Sequence, residues 1–269
     1  MAPEGHLRIK GVGILLILVV GAAITAAVTS EYQERYRAIY KKHFLLQPLQ
    51  KTFTDLQYAP DKGIPFQTIA ETGMIAMGTL FHSEDYIQGR YQKLRFEQSD
   101  ILMEERHYAQ GSCSYSSSFI GRWMIVDFNK EFRANIQIVQ KGFPGSTQSP
   151  GVAGFPFPFQ KVSTESETFN RDFRVYAQIE HEAFYIITPA LMERIQKLAA
   201  RIKGSMMLCF TGQRLHIAIQ EGKNSFEPPS IFQNFDVQGA MWNAWDEIRV
   251  ITDVIDALNL NTDLFKPEE

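Results

Sequence analysis

Phe132-Arg133-Ala134-Asn135-Ile136-Gln137-Ile138-Val139 is the stretch whose reading decides the fold class. Phe132, Ala134, Ile136 and Ile138 share one face, and Arg133, Asn135 and Gln137 share the other, the period of a half-buried strand. Just upstream, Phe119-Ile-Gly-Arg-Trp-Met-Ile-Val-Asp-Phe128 is a second strand. The short polar gap Asn129-Lys130-Glu131 between them predicts a hairpin. Further back, Tyr86–Phe96 and Ile101–Tyr108 also read as strands, so the region is expected to form an antiparallel meander.

Downstream the period changes. Thr188-Pro189 opens a helix, with threonine as N-cap and proline at the first helical position. Leu191, Ile195, Leu198 and Ile202 form its buried stripe, and Gly204 is placed as its C′ stop. Ser205–Phe210 and Arg214–Gln220 then read as a hairpin across Thr211-Gly212-Gln213, with Leu215, Ile217 and Ile219 on one face and His216 and Ala218 on the other. Met241, Trp245, Ile248, Ile251, Ile255 and Leu258 mark a last amphipathic helix. The expectation is an α+β fold of antiparallel hairpins with packed helices, preceded by one N-terminal transmembrane helix.

That helix is read from Gly11–Ser30, a run without a charge. As a helix it spans about 30 Å, the thickness of a bilayer's hydrocarbon core. A cleaved signal peptide competes, since Arg8 and Lys10 supply a basic start. The run exceeds the usual signal core and offers no strict Ala-x-Ala site, which favours a retained single-pass anchor in the cell membrane. Arg35, Arg37, Lys41 and Lys42 follow it against Arg8 and Lys10 before, which favours a cytoplasmic C-terminal body. Tyr32, Tyr36, Tyr40 and Phe44 recur every four residues in a juxtamembrane helix expected to stop or kink near Pro48. Turn residues over 58–65 read as a boundary, and 67–77 as a further short helix. The division is thus 1–30 for tail and anchor, 31–63 for juxtamembrane helix and linker, and 64–269 for the globular domain.

The chain's 269 residues are 45% hydrophobic and 12% aromatic, which excludes a disordered chain and allows a core that needs no staple. Its 27 basic residues against 30 acidic argue against a nucleic-acid partner. Two cysteines, Cys113 and Cys209, build no disulfide framework.

Catalytic signatures are sparse. No His-x-x-x-His or Cys-x-x-Cys is present, and Glu180-His181-Glu182, the densest ligand cluster, needs distant partners to hold a metal. Gly111–Ser118 reads as a serine-rich surface loop in which Cys113 becomes a nucleophile only if His107 or His216 reaches it. No phosphate-binding loop or other cofactor motif occurs in the body, so no cofactor is expected. Asp85, Asp127, Glu104 and Glu105 are acid–base candidates, read first as turn or solvent-facing strand residues. Gly142–Phe159 is a loop by composition, ending in Phe155-Pro156-Phe157-Pro158-Phe159. Proline bars regular pairing there while Phe155, Phe157 and Phe159 seek burial, so the three are either an apolar contact for lipid or ligand or a segment packed on the domain's own core.

Several segments together resemble a bacterial family described only as domain of unknown function 3137. They are Ser83-Glu-Asp-Tyr-Ile-Gln-Gly89, Phe119–Lys130, Glu165–Ala177, His181–Pro189, Met192-Glu-Arg194 and Leu215-His-Ile-Ala-Ile219. The resemblance spans about residues 32 to 265. It implies a membrane-attached bacterial protein with an α+β body and no assigned catalytic residue. Members often carry two spans near the N-terminus, where this sequence shows one. The functional expectation is a non-enzymatic scaffold or interaction module at the membrane, with the bilayer and an unidentified protein as partners. The alternatives are a lipid or apolar-ligand binder and a hydrolase with scattered catalytic residues.

Overall fold

The structure, a computed structural model, describes residues 30–109, 112–144, 159–230 and 236–258, with the backbone alone for 128–130. Its centre is one antiparallel sheet of seven strands, each rich in the β-branched and aromatic residues that suit a pleated surface. β1 (Thr54–Ala59), β2 (Leu80–Tyr91), β3 (Leu94–Ala109) and β4 (Ser112–Gln140) follow one another as a meander. β5 (Gln160–Val162) and β6 (Phe173–Ala177) continue beyond the C-terminal part of β4, and β7 (Ser205–Gln220) pairs along β4's other side. This is the expected α+β class.

Three local readings are corrected. The stretch 86–96 is two strands, because Gln92 and Lys93 both take left-handed φ angles (48° and 73°) and form a two-residue turn whose twist matches the hairpin. The gap 129–131 is no hairpin: β4 continues through it as one strand of 29 residues. Likewise β7 runs straight through 211–213. The two polar triplets lie opposite each other on the ladder. From Asp127 to Phe132 β4 advances five positions while β7 steps back only two, from Arg214 to Gly212. The surplus residues are bulged out, and Gly212 at φ 53° lets β7 follow the bend. The chain bends there instead of reversing.

Both faces of the sheet are covered. One carries the main core, in which Phe96, Met124, Ile136, Leu208, Leu215, Ile217 and Ile219 meet helices. The other carries a second core of Ile101, Met103, Phe119, Trp123, Ile125 and Cys209 under Ile64, Ile69, Met74, Ile75 and Phe143. The opposed sets Leu215/Ile217/Ile219 and His216/Ala218 are therefore both buried, on different faces.

The helices follow from their ends and stripes. Residues 30–40 form α1, which passes through a π-helical turn, Lys41–Leu45, into α2 (Leu46–Thr52). Pro48 does not stop this helix. The wide turn just before it relieves the clash its ring would make with a carbonyl one turn back. α3 (Phe66–Ala70), α4 (Glu167–Asp172) and α5 (Glu180–Ile186) are short. α6 (Pro189–Arg201) starts as expected, with the Thr188 hydroxyl accepting from the Leu191 N–H at 3.2 Å. Its C-cap is Ile202, so Gly204 lies one position past C′. There, at φ 118°, a Cβ would stand 2.0 Å from the Gln220 carbonyl. α7 (Val237–Leu258) buries Ala244, Ile248, Ile251, Ile255 and Leu258, while Met241 at its start is exposed. Among the described residues no helix is long and apolar enough to cross a membrane, and the run 11–29 lies outside them.

Candidate functional site

The site is built where α1 meets the sheet. The β2–β3 register slips between Glu84 and Ile87, which bulges Asp85 and Tyr86 out of the ladder. Asp85 takes a left-handed φ of 55°, a conformation aspartate tolerates better than most residues. Its backbone N–H donates to the Pro60 carbonyl and that of Tyr86 to the Lys62 carbonyl, so the turn after β1 supports the bulge. The bulge aims the Asp85 carboxylate into the interior, where it is fully buried. The Lys41 ammonium, also buried, donates to Oδ2 at 2.6 Å, and the Tyr58 hydroxyl donates to Oδ1 at 2.7 Å. Burial pushes the Asp85 carboxyl up to about 6 despite the Lys41 charge, and burial beside that carboxylate holds the Tyr58 phenol far above its usual value.

A strap, residues 221–230, closes over this pair. Asn224 donates to Glu84 at 2.7 Å and the Ser225 N–H donates to Asp100. Glu227 pairs with Arg37 at 3.0 Å and lies 3.6 Å from Lys41. Phe226, at φ 56°, is buried beneath the Arg122 guanidinium. Arg122 is itself buried and bonds Glu221 at 3.0 Å, the Glu247 carbonyl at 2.6 Å and the Glu247 carboxylate. Asp100 is buried opposite Glu84, and burial pushes its carboxyl up to about 7 against the pull of Arg122. Beside the cluster opens a cleft of about 430 Å³, lined by Glu34, Arg37, Lys41, Tyr58, Asp61 and Glu84 among others. α1, the bulge in β2, β3, β4, the strap and α7 are thus tied through one ionic network.

Glu84, Asp85 and Glu227 offer oxygens within 4.8 Å of one another, a spacing that suits a metal ion. The Lys41 ammonium already stands against two of those carboxylates, so a resident side-chain cation supplies the charge. The arrangement is a clamp: it fixes α1 on the sheet and offers no nucleophile paired with a base.

The residues singled out by sequence are placed as follows. Asp85 is not solvent-facing: the bulge turns it inward. Asp127 is partly exposed and pairs with Arg95 and Arg214; Glu105 is exposed. Of the stretch read as a serine-rich loop, Gly111 lies outside the described residues and Ser112–Ser118 is the start of strand β4. There Tyr108 stands opposite Cys113 and His107 opposite Ser114, so Cys113 and His107 point to opposite faces of the ribbon. His107 bonds Ser116 at 2.6 Å, but both are exposed and line none of the clefts described, so nothing shields the pair from water. His216 is buried, accepts from the Trp123 indole at 3.2 Å, and is pushed down to about 3 by burial, which keeps it neutral. His181 and Glu182 lie on α5 beside a cleft of about 220 Å³ with Glu131 and Arg133. Phe159 is half-buried just before β5, and Phe155 and Phe157 lie outside the described residues.

A second feature is a ribbon that projects from the sheet. Glu105–Ala109 of β3 pair with Ser112–Ser116 of β4, and these residues are exposed on both faces. β2 stops pairing at Glu104 and β7 at Gly121, so among the described residues both edges of the ribbon are free of ladder partners beyond a Thr79 hydroxyl on the Arg106 N–H. Arg106 donates to the hydroxyls of Tyr108 and Tyr115 and lies over both rings.

The sequence singles out Asp85 but none of its partners in the ionic clamp. A further trace is charge inside apolar strands: Asp100 beside Ile101, and Arg122 beside Trp123. No sequence pattern pairs either with its partner.

Among curated proteins nothing matches this chain. Among solved structures, the crystal structure of the mycobacterial trehalose monomycolate transport factor A, TtfA, is similar over 83% of this chain and 94% of that chain, at 7% identity and a TM-score of 0.41. A family match covers residues 117–260, from the base of the ribbon through β7 and α7, and by that match the chain belongs to the family described as Protein of unknown function (DUF3137).

Proposed function

We propose that this chain is a non-enzymatic, membrane-anchored interaction module of a bacterial cell. Gly11–Ser30 is the single-pass anchor and the body stands on the cytoplasmic side. The observation that carries the reading is the projecting ribbon. A two-stranded ribbon alone in water is marginal, and this one extends about 17 Å past its neighbours. It is braced by the Arg106–Tyr108–Tyr115 stack, and arginine and tyrosine are the side chains that dominate protein-binding hot spots. Tyr108 is 74% exposed, so this surface has no partner within the described residues. The clamp supports the same reading, because it makes the body a rigid extension of the helix that follows the anchor run.

The test is site-specific photo-cross-linking in native membranes, with a photoreactive phenylalanine at Tyr108 and, as control, at exposed Lys161. One protein adduct should form at position 108, vanish with Arg106→Ala, and be absent at 161. The same adducts at both positions, or none above an anchor-deleted control, refute the proposal.

A further inference from the structure

α7 begins with an apolar face that nothing in the described structure covers. Val237, Met241 and Trp242 are 53%, 46% and 66% exposed, and Trp245 is half-buried beside them. Asp236 caps the helix, accepting from the Gln238 and Gly239 N–H groups, so the face is part of an ordered helix start.

The position of this face is set by its neighbours. The Tyr40 hydroxyl at the end of α1 donates to the Ala240 carbonyl at 3.3 Å. Past α2, the Phe53 ring meets Tyr91, and Tyr91 and Gln92 donate to Asp256 near the end of α7. Hence α1–α2 and α7 run side by side in the same direction, and the Val237 end of α7 lies on the side from which the uncharged run arrives. Tyr40 stands ten residues past Ser30, about 15 Å along a helix. Val237, three residues before Ala240, is about 10 Å from the level where that run ends. Trp242, two residues past Ala240, has its backbone about 18 Å from that level, and helical side chains lean toward the N-terminus, which brings its ring back toward the run. α1 itself exposes Tyr32 and Ile39 along this distance.

We propose that the first two turns of α7 lie in the interface of the bilayer that holds the anchor. This rests on the anchored reading above. The occupant is a lipid surface and not a protein groove for two reasons. The face is held within interfacial reach of the run's end, so insertion is an intramolecular step with no association entropy to overcome. Its composition, tryptophan with flanking Val and Met and tyrosine on the adjoining helix, is that of interfacial belts. The protein would thus touch the membrane at two points, which fixes its tilt as well as its attachment.

The test uses the full chain reconstituted in phosphatidylcholine vesicles with or without bromine on the upper acyl carbons. Trp123 is fully buried in the sheet, so contact quenching by bromolipid reports Trp242 and its neighbour Trp245. The wild type should float with vesicles and lose tryptophan emission in bromolipid, and Trp242→Phe should lose most of that quenching while still floating. Met241→Glu should weaken the quenching without touching a fluorophore. Flotation with equal quenching in Trp242→Phe and wild type overturns the inference and leaves the anchor intact. Failure to float overturns the anchored reading. Formation of a protein adduct at a photoreactive position 242, in place of a lipid adduct, overturns the bilayer as occupant in favour of a partner or a second copy.

Discussion

Replacing Lys41 by methionine tests the clamp most directly. The substitution keeps the length of the side chain and removes the ammonium that lies 2.6 Å from Asp85. Asp85 is then left fully buried with the Tyr58 hydroxyl as its remaining side-chain donor. Removing one partner of a buried ion pair costs about 3–5 kcal/mol, most of it the penalty of a stranded charge. The sign of the pH dependence follows. The Asp85 carboxyl already stands at about 6 in the folded protein, and losing the attraction and hydrogen bond of Lys41 raises it further. Near pH 5 the stranded carboxyl takes up a proton and the penalty shrinks. Relative to wild type the loss grows by about 1.4 kcal/mol per pH unit from about 6, the wild-type value, up to the variant's own raised value, and is constant above that. Urea unfolding of the full chain in mild detergent, followed by far-ultraviolet circular dichroism at pH 5 and pH 8, reads this directly. Lys41→Met should lower the midpoint modestly at pH 5 and severely at pH 8. The double variant Lys41→Met/Asp85→Asn should recover much of the loss at pH 8. Equal losses at the two pH values, or a double variant as weak as the two single losses combined, would refute the clamp as an ion pair that matters to folding.

Asp100 gives a second pH test: a carboxyl raised from 3.8 to about 7 binds protons more tightly when folded. Its contribution is therefore complete below its unfolded value and is lost as pH rises through about 7, a difference on the order of 4 kcal/mol at most. Asp100→Asn keeps an acceptor for the Ser225 N–H and should flatten the stability profile between pH 4.5 and 8; a profile parallel to wild type contradicts the assignment. Gly121→Ala places a Cβ 2.0 Å from the Ile219 carbonyl and should prevent folding or cost several kcal/mol, on the order of severe overpacking. Gly142→Ala meets nothing within 4 Å and should cost only its φ strain, about 1 kcal/mol, so similar midpoints for the two variants would show the β4–β7 contact to be misplaced. Cys113 is exposed, whereas Cys209 is buried with its thiol pushed up to about 12. A thiol reagent should thus titrate one group in the native protein and two in urea, and two fast native thiols would contradict the burial of Cys209.

The meander and the Thr188-Pro189 helix were legible because their signals are local. Alternation over Phe132–Val139 needs only eight neighbouring residues, and a Thr-Pro start carries its own cap. The errors also have a local origin. Asn129-Lys-Glu131 and Thr211-Gly-Gln213 each resemble a turn alone, and only their mutual position across β4 and β7 shows a shared bulge. The Gln92–Lys93 turn was hidden for the opposite reason, since neither residue is a glycine or asparagine that announces a left-handed φ. The clamp was illegible because its bonds are long-range: Lys41 and Asp85 are 44 positions apart, and Arg122 and Glu247 are 125. Lys41 read as a membrane-flanking charge, although the fold buries it.

Three backbone irregularities converge on that clamp: the π-helical turn that carries Lys41, the left-handed Asp85 in its bulge, and the left-handed Phe226 in the strap. Each such feature costs of the order of 1–3 kcal/mol and persists only where the surroundings over-determine it. Here the surroundings are one another, because each irregular segment supplies a partner to the same cluster. Apolar side chains at 41, 85 and 227 would bind α1 to the sheet about as strongly, but without directional bonds to fix its rotation. The triple variant Lys41→Met/Asp85→Leu/Glu227→Leu separates strength from direction. It should unfold near the wild-type midpoint, while spin labels on Glu34 and Lys161 should report a broader distance distribution than in the wild type. A distribution as narrow as the wild type's would mean that packing alone orients α1. A fixed rotation of α1 is what an anchored module needs if its ribbon is to meet a partner at a set angle to the membrane.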